Sequence, residues 1–111
     1  MRLADDAEAA AWLDRLAGNP EDFEWDAGNR AKNRKHAVEA EDIEAMFRSP
    51  IVFAGRIIAP EHAEPRWLVL GQAGHGRRLA LVLTRRGNRV RAISCRPMRR
   101  GERTVYEEAI E

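Results

Sequence analysis

With a single cysteine, Cys95, the chain can form neither an internal disulfide nor a multi-cysteine metal site. Set after Ile93 and Ser94 in a strand-like run, Cys95 reads as a small buried apolar residue. Long hydrophobic runs are missing too. Those around Trp67–Leu70 and Leu79–Leu83 fall far short of the roughly 20 residues that cross a bilayer, so no membrane contact is expected. The opening Met1-Arg2-Leu3-Ala4-Asp5-Asp6 lacks a basic flank leading into an apolar core, and a cytoplasmic location is expected. Neither G-x-x-x-x-G-K-[ST] nor G-x-G-x-x-G occurs, and Gly71, Gly74 and Gly76 fall in a hairpin rather than a phosphate loop. His36, His62 and His75 lie far apart without carboxylates at ligand spacing. No metal and no other cofactor is expected.

What the chain does have is a polarised distribution of charge. Its formal net charge of +1 hides an acidic head and a basic body. Residues 1 to 26 carry Asp5, Asp6, Glu8, Asp14, Glu21, Asp22, Glu24 and Asp26 against Arg2 and Arg15. Residues 77 to 103 carry Arg77, Arg78, Arg85, Arg86, Arg89, Arg91, Arg96, Arg99, Arg100 and Arg103 against Glu102 alone. Apart from Lys32 and Lys35 every basic residue is arginine, whose planar fork suits phosphate and base stacking. An anionic partner follows; the competing reading is a solvated basic face neutralised by the acidic head.

The chain, at 111 residues, suits one core. Asp5–Leu16 reads as a helix capped by Asp5 or Asp6 and ended at Gly18-Asn19-Pro20. Phe23-Glu24-Trp25-Asp26 alternates like a half-buried strand with both aromatics on one face. Ala27-Gly28-Asn29 reads as a turn, and from Asn29 a short basic helix is expected, on which Lys32, Lys35 and His36 share a face at i, i+3 and i+4. Val38–Phe47 is an amphipathic helix with Ile43, Met46 and Phe47 on its apolar side. Strand-like runs follow on both sides of Gly55, then at 67–71 and 79–84 around the loop Ala73-Gly74-His75-Gly76, and at 89–96 after a turn at Arg85-Arg86-Gly87-Asn88. Regular alternation in that last strand would put Arg91 and Arg96 on opposite faces unless a bulge intervenes. Arg99–Ile110 closes the chain as a helix with Tyr106 and Ile110 on one stripe. The expected fold is α+β: a small antiparallel sheet with helices before it and a closing C-terminal helix.

An arginine-rich surface with few proton carriers suits RNA cleavage without metal. The 2′-hydroxyl must lose a proton, the leaving 5′-oxygen must gain one, and cations must hold the charged phosphorane. Arginine serves the last task, and His36 and Tyr106 are the proton carriers. Arg99 and Arg103, one turn from Tyr106, are expected to draw its phenol pKa down. The plainer readings are Tyr106 as a core aromatic and His36 as a cation at a helix C-terminus.

Taken in order, Phe-Glu-Trp-Asp at 23 to 26, Gly28-Asn29-Arg30-x-Lys32, Lys35-His36, Met46-Phe47-x-x-Pro50, Arg66-Trp67-Leu68, Arg91-x-Ile93-Ser94-x-Arg96 and Glu102-Arg103-x-x-Tyr106-Glu107 resemble the BrnT family of type II toxin-antitoxin toxins. The resemblance implies a RelE-like fold, metal-independent endoribonuclease activity that inhibits translation, and neutralisation by a BrnA-like antitoxin whose complex binds operator DNA. The alternative is a non-catalytic module that binds RNA or a partner through the same arginines. Residues 23–111 form the toxin domain in this reading and residues 1–22 a helical extension. Lys35, His36, Arg96 and Tyr106 are the catalytic candidates, and Arg91, Arg99, Arg100 and Arg103 the RNA-binding ones. The family usually has glycine after Lys-His; here Ala37 stands there, so either the helix runs on or its end is mildly strained.

Overall fold

The computed structural model describes all 111 residues, as β1 (Arg2–Ala4), α1 (Ala7–Asp14), α2 (Ala27–Arg34), α3 (Ala40–Met46), β2 (Val52–Ala59), β3 (Trp67–Gln72), β4 (Arg78–Arg86), β5 (Arg89–Pro97) and α4 (Arg100–Ile110). The strands pair antiparallel in the order β1-β2-β3-β4-β5, with helices before the meander and one after it, an α+β fold. Trp67–Gly71 is buried at every position because β3 is covered on both faces. On one face Leu13, Val38, Ile43, Met46 and Phe47 pack over Val69, Leu79, Leu81 and Leu83. On the other, Met98 and Tyr106 lie against Leu68, Leu70 and Ala80.

Several elements differ from the sequence expectation. Arg2–Ala4 is an edge strand paired with β2, a role that three residues of mixed polarity do not advertise. The helix behind it begins at Ala7, with the Asp6 carboxylate accepting from the Ala9 N–H at 3.1 Å. That carboxylate also accepts from the Trp67 indole N–H at 2.8 Å, and Ala9 and Leu13 enter the main core. Phe23–Asp26 does not form a strand. Phe23 makes an isolated parallel bridge to Val90 and Glu24 N–H reaches the Val90 carbonyl, after which Asp26 turns to cap α2. The two aromatics do share a face, with ring centroids 6.0 Å apart and planes at 18°. The runs flanking Gly55 form one strand with a bulge between Phe53 and Gly55. On α4 Tyr106 is buried but Ile110 is 41% exposed, so the expected two-residue stripe contributes one residue.

β5 carries the bulge that decides where its arginines point. Val82 pairs with Ser94 but Leu83 pairs with Ala92, so Ile93 is the extra residue. Arg91 pairs with Thr84 and Arg96 with Ala80, positions of equal parity on β4, which brings the two arginines to one face about 13 Å apart. Val90, Ala92 and Cys95 then share the opposite, buried face. The regular alternation that would set Arg91 and Arg96 on opposite faces is thus broken.

Candidate nucleic-acid interface

Helix α2 contains no large apolar residue, yet it is held firmly against β5 by two buried asparagines. Asp26 accepts from the Asn29 N–H at 2.9 Å and the Asn29 carboxamide returns a bond from the Asp26 N–H at 2.8 Å, a reciprocal cap. Asn29 also donates to the Glu24 carbonyl at 2.9 Å. One turn on, Asn33 donates to the Asn29 carbonyl at 2.8 Å and accepts from the Cys95 N–H at 2.9 Å. A polar helix with asparagines at i and i+4 was the available signal for this contact, because the side that faces the sheet must then be amide.

This docking sets the surroundings of Arg91. Its Nη1 lies 3.1 Å from Glu24 Oε1 and 2.8 Å from Asp26 Oδ2. The Arg91 hydrogen bond is the chief reason that the exposed Asp26 carboxyl sits below its ordinary value, and the same bond raises Arg91. Beside the pair lies a cleft of about 180 Å³ lined by Gly28, Asn29, Lys32, Arg66, Arg91 and Ile93. Arg66 reaches Glu64 through Nη2 at 3.2 Å, while its Nε is buried without a protein partner. Lys32 and Arg66 were not among the expected site residues; they meet only because α2 docks on β5 beside the segment that leads into β3.

Arg96 and Glu102 form a two-pronged ion pair at 2.6 and 2.9 Å. Glu102 also accepts from the Arg99 N–H at 2.8 Å, so it caps α4 while holding the strand. The Arg96 bond lowers the Glu102 carboxyl against the opposing effect of burial, and raises Arg96. Arg99, Arg100 and Arg103 are exposed on α4. Tyr106 behaves otherwise than expected. Its side chain is 1% exposed, its hydroxyl donates to the Pro50 carbonyl at 3.3 Å, and burial raises its pKa rather than lowering it. The cation nearest its ring is Arg78, 5.1 Å from the centroid, whose smaller effect opposes burial; Arg99 and Arg103 are not the cause of the shift.

Lys35 and His36 lie beyond the last residue of α2, exposed, so the i, i+3, i+4 face with Lys32 does not extend to them as a helix surface. Ala37 has φ of 55°, the strained helix end that glycine would relieve. Arg77 fixes this turn by donating to the His36 and Ala37 carbonyls at 2.8 and 2.7 Å. No hydrogen bond or ion pair links Lys35 or His36 to Arg91, Arg96 or Tyr106. The eight expected residues thus fall into separate groups: the turn after α2, the Arg91 cleft, the Arg96–α4 surface, and a buried tyrosine.

A family model described as the ribonuclease toxin, BrnT, of type II toxin-antitoxin systems matches residues 25–102. The chain belongs to the BrnT family. Membership brings an RNA substrate and an antitoxin partner. The BrnT match takes in α2, the whole β2–β5 meander and the start of α4, and so covers Lys32, Asn33, His36, Arg66, Arg91 and Arg96. β1, α1, Arg103, Val105 and Tyr106 lie outside it. A search of curated proteins finds no match to the chain. No helix is long and apolar enough to cross a membrane.

Proposed function

We propose that this BrnT-family protein is a metal-independent endoribonuclease of the cytoplasm, whose cleavage of RNA halts translation and which a BrnA-like antitoxin neutralises, the complex binding operator DNA through the antitoxin. The family match over residues 25–102 carries this reading. In the reaction the RNA 2′-oxygen bonds to phosphorus as its proton departs, the bond from phosphorus to the 5′-oxygen breaks, and that oxygen takes up a proton. His36, exposed beside Lys35 on a turn braced by Arg77, is the proton carrier. Arg91, with Lys32 and Arg66 around the same cleft, holds backbone phosphate, and Arg99, Arg100 and Arg103 extend the cationic track. Arg96, engaged by Glu102, orders the start of α4, and Tyr106 belongs to the core.

Incubation of purified protein with RNA, with and without EDTA, tests the proposal. Cleavage should be indifferent to chelator and leave 2′,3′-cyclic phosphate and 5′-hydroxyl ends. His36→Ala should slow it by roughly 100-fold or more. Magnesium-dependent cleavage leaving 3′-hydroxyl ends would instead demand a two-metal site. A non-catalytic reading draws on the internal pairing of Arg91 and Arg96 with carboxylates. Growth arrest with RNA left intact would favour it.

A further inference from the structure

The sheet face under α4 is only partly covered. Met98 and Tyr106 lie over Leu68, Leu70 and Ala80, but toward β1 the face opens into a groove of about 530 Å³ lined by Leu3, Ala54, Leu68, Leu70, Arg99 and Val105. Met1, Leu3 and Val105 on its walls are 57%, 40% and 52% exposed. Neighbouring large apolar side chains left in water around one groove are the mark of a surface that a partner covers. The rim is cationic: Arg99 lines it, Arg100 and Arg103 are exposed on the same helix, and the one acid in the lining, Glu102, is neutralised by Arg96.

We propose that this groove seats an acidic amphipathic helix of the antitoxin, an inference that rests on the toxin-antitoxin reading above. Apolar side chains at i, i+3 or i+4 and i+7 would enter between β1 and α4, and flanking carboxylates would meet the arginines of α4. RNA fits this surface poorly, because the lining between the arginines and β1 offers carbon rather than cations. Strand addition fits poorly as well, since β1 is three residues long with an irregular register. A second copy has no spare helix of the right kind: α1 is acidic, but its Ala9 and Leu13 are already buried in the core. Met1, Leu3 and Val105 fall outside the residues matched by the family model, whereas Ala54, Leu68, Leu70 and Arg99 fall inside it.

The test uses the full chain and the protein encoded beside its gene. Val105→Asp and Leu3→Asp should each weaken binding of that protein at least tenfold and abolish its relief of growth arrest, while RNA cleavage by the free toxin and its melting temperature stay as in wild type. Val105→Lys should weaken binding less than Val105→Asp, which also repels carboxylates. Wild-type association should slow as salt is raised. Unchanged affinity in both aspartate variants would overturn the groove assignment alone. Lost RNA cleavage in a folded Val105→Asp protein would assign the groove to substrate, and conversion of a dimer to a monomer by that change would assign it to a second copy. If the neighbouring protein neither binds the wild-type chain nor relieves arrest, the antitoxin reading fails and the groove's occupant with it.

Discussion

The Asn33 side chain accepts a hydrogen bond from the Cys95 N–H at 2.9 Å, across 62 residues of sequence. Asn33 is 1% exposed, so no water stands ready to replace it. Asn33→Ala would leave the buried Cys95 N–H unpaired and remove the second bond to the Asn29 carbonyl, and should destabilise the protein by about 1–3 kcal/mol. Denaturant titration measures the loss, and hydrogen exchange at the Cys95 amide should quicken with it. An unchanged midpoint would mean that α2 is held by other contacts.

Tyr106 gives a test that separates catalysis from packing. Tyr106→Phe removes only a long bond to the Pro50 carbonyl and should cost less than about 1 kcal/mol, with RNA cleavage close to wild type. Tyr106→Ala removes a buried ring and should cost about 3–5 kcal/mol. A folded Tyr106→Phe protein that has lost cleavage would restore the hydroxyl to the reaction.

Acid sensitivity should trace in part to Glu102. Its pKa in the fold lies below the ordinary 4.5, so the unfolded chain binds protons more readily. The contribution is therefore fully present above that value and disappears as pH falls through the lowered one. Glu102→Gln should reduce stability by about 1 kcal/mol at pH 7 and progressively less as pH falls below the ordinary carboxylate range, as judged from urea midpoints. Asp6 and Asp26, lowered in the same direction, keep the variant acid-sensitive. An equal loss across that range would show that Glu102 acts through packing rather than charge.

Ala37 sits at a φ of 55° with its carbonyl held by Arg77. Because a side chain disfavours that conformation and glycine does not, Ala37→Gly should stabilise the fold by about 1 kcal/mol in thermal or denaturant unfolding. A lower stability would show that the entropy glycine adds to the unfolded chain outweighs the relief of strain.

Much of this protein was legible in the chain itself. The 3.6-residue spacing of Ile43, Met46 and Phe47, the unbroken apolar run at Trp67–Leu70 and the turn at Gly87-Asn88 each specify local structure, because burial on one face or two leaves its period in the residues. The ordered motifs between Phe23 and Glu107 likewise carried the BrnT assignment. What the tertiary structure decided was which charges are free and which side chains face together. One extra residue at Ile93 reverses the facing of half of β5, and no side-chain pattern marks it, since a bulge answers to the partner strand. Arg91 finds its carboxylates from residues 24 and 26, and Tyr106 its carbonyl partner from Pro50, in both cases through distant segments. Whether a polar side chain is free for a ligand or already engaged depends on its neighbours in space, and for Arg91 and Tyr106 sequence order does not supply them.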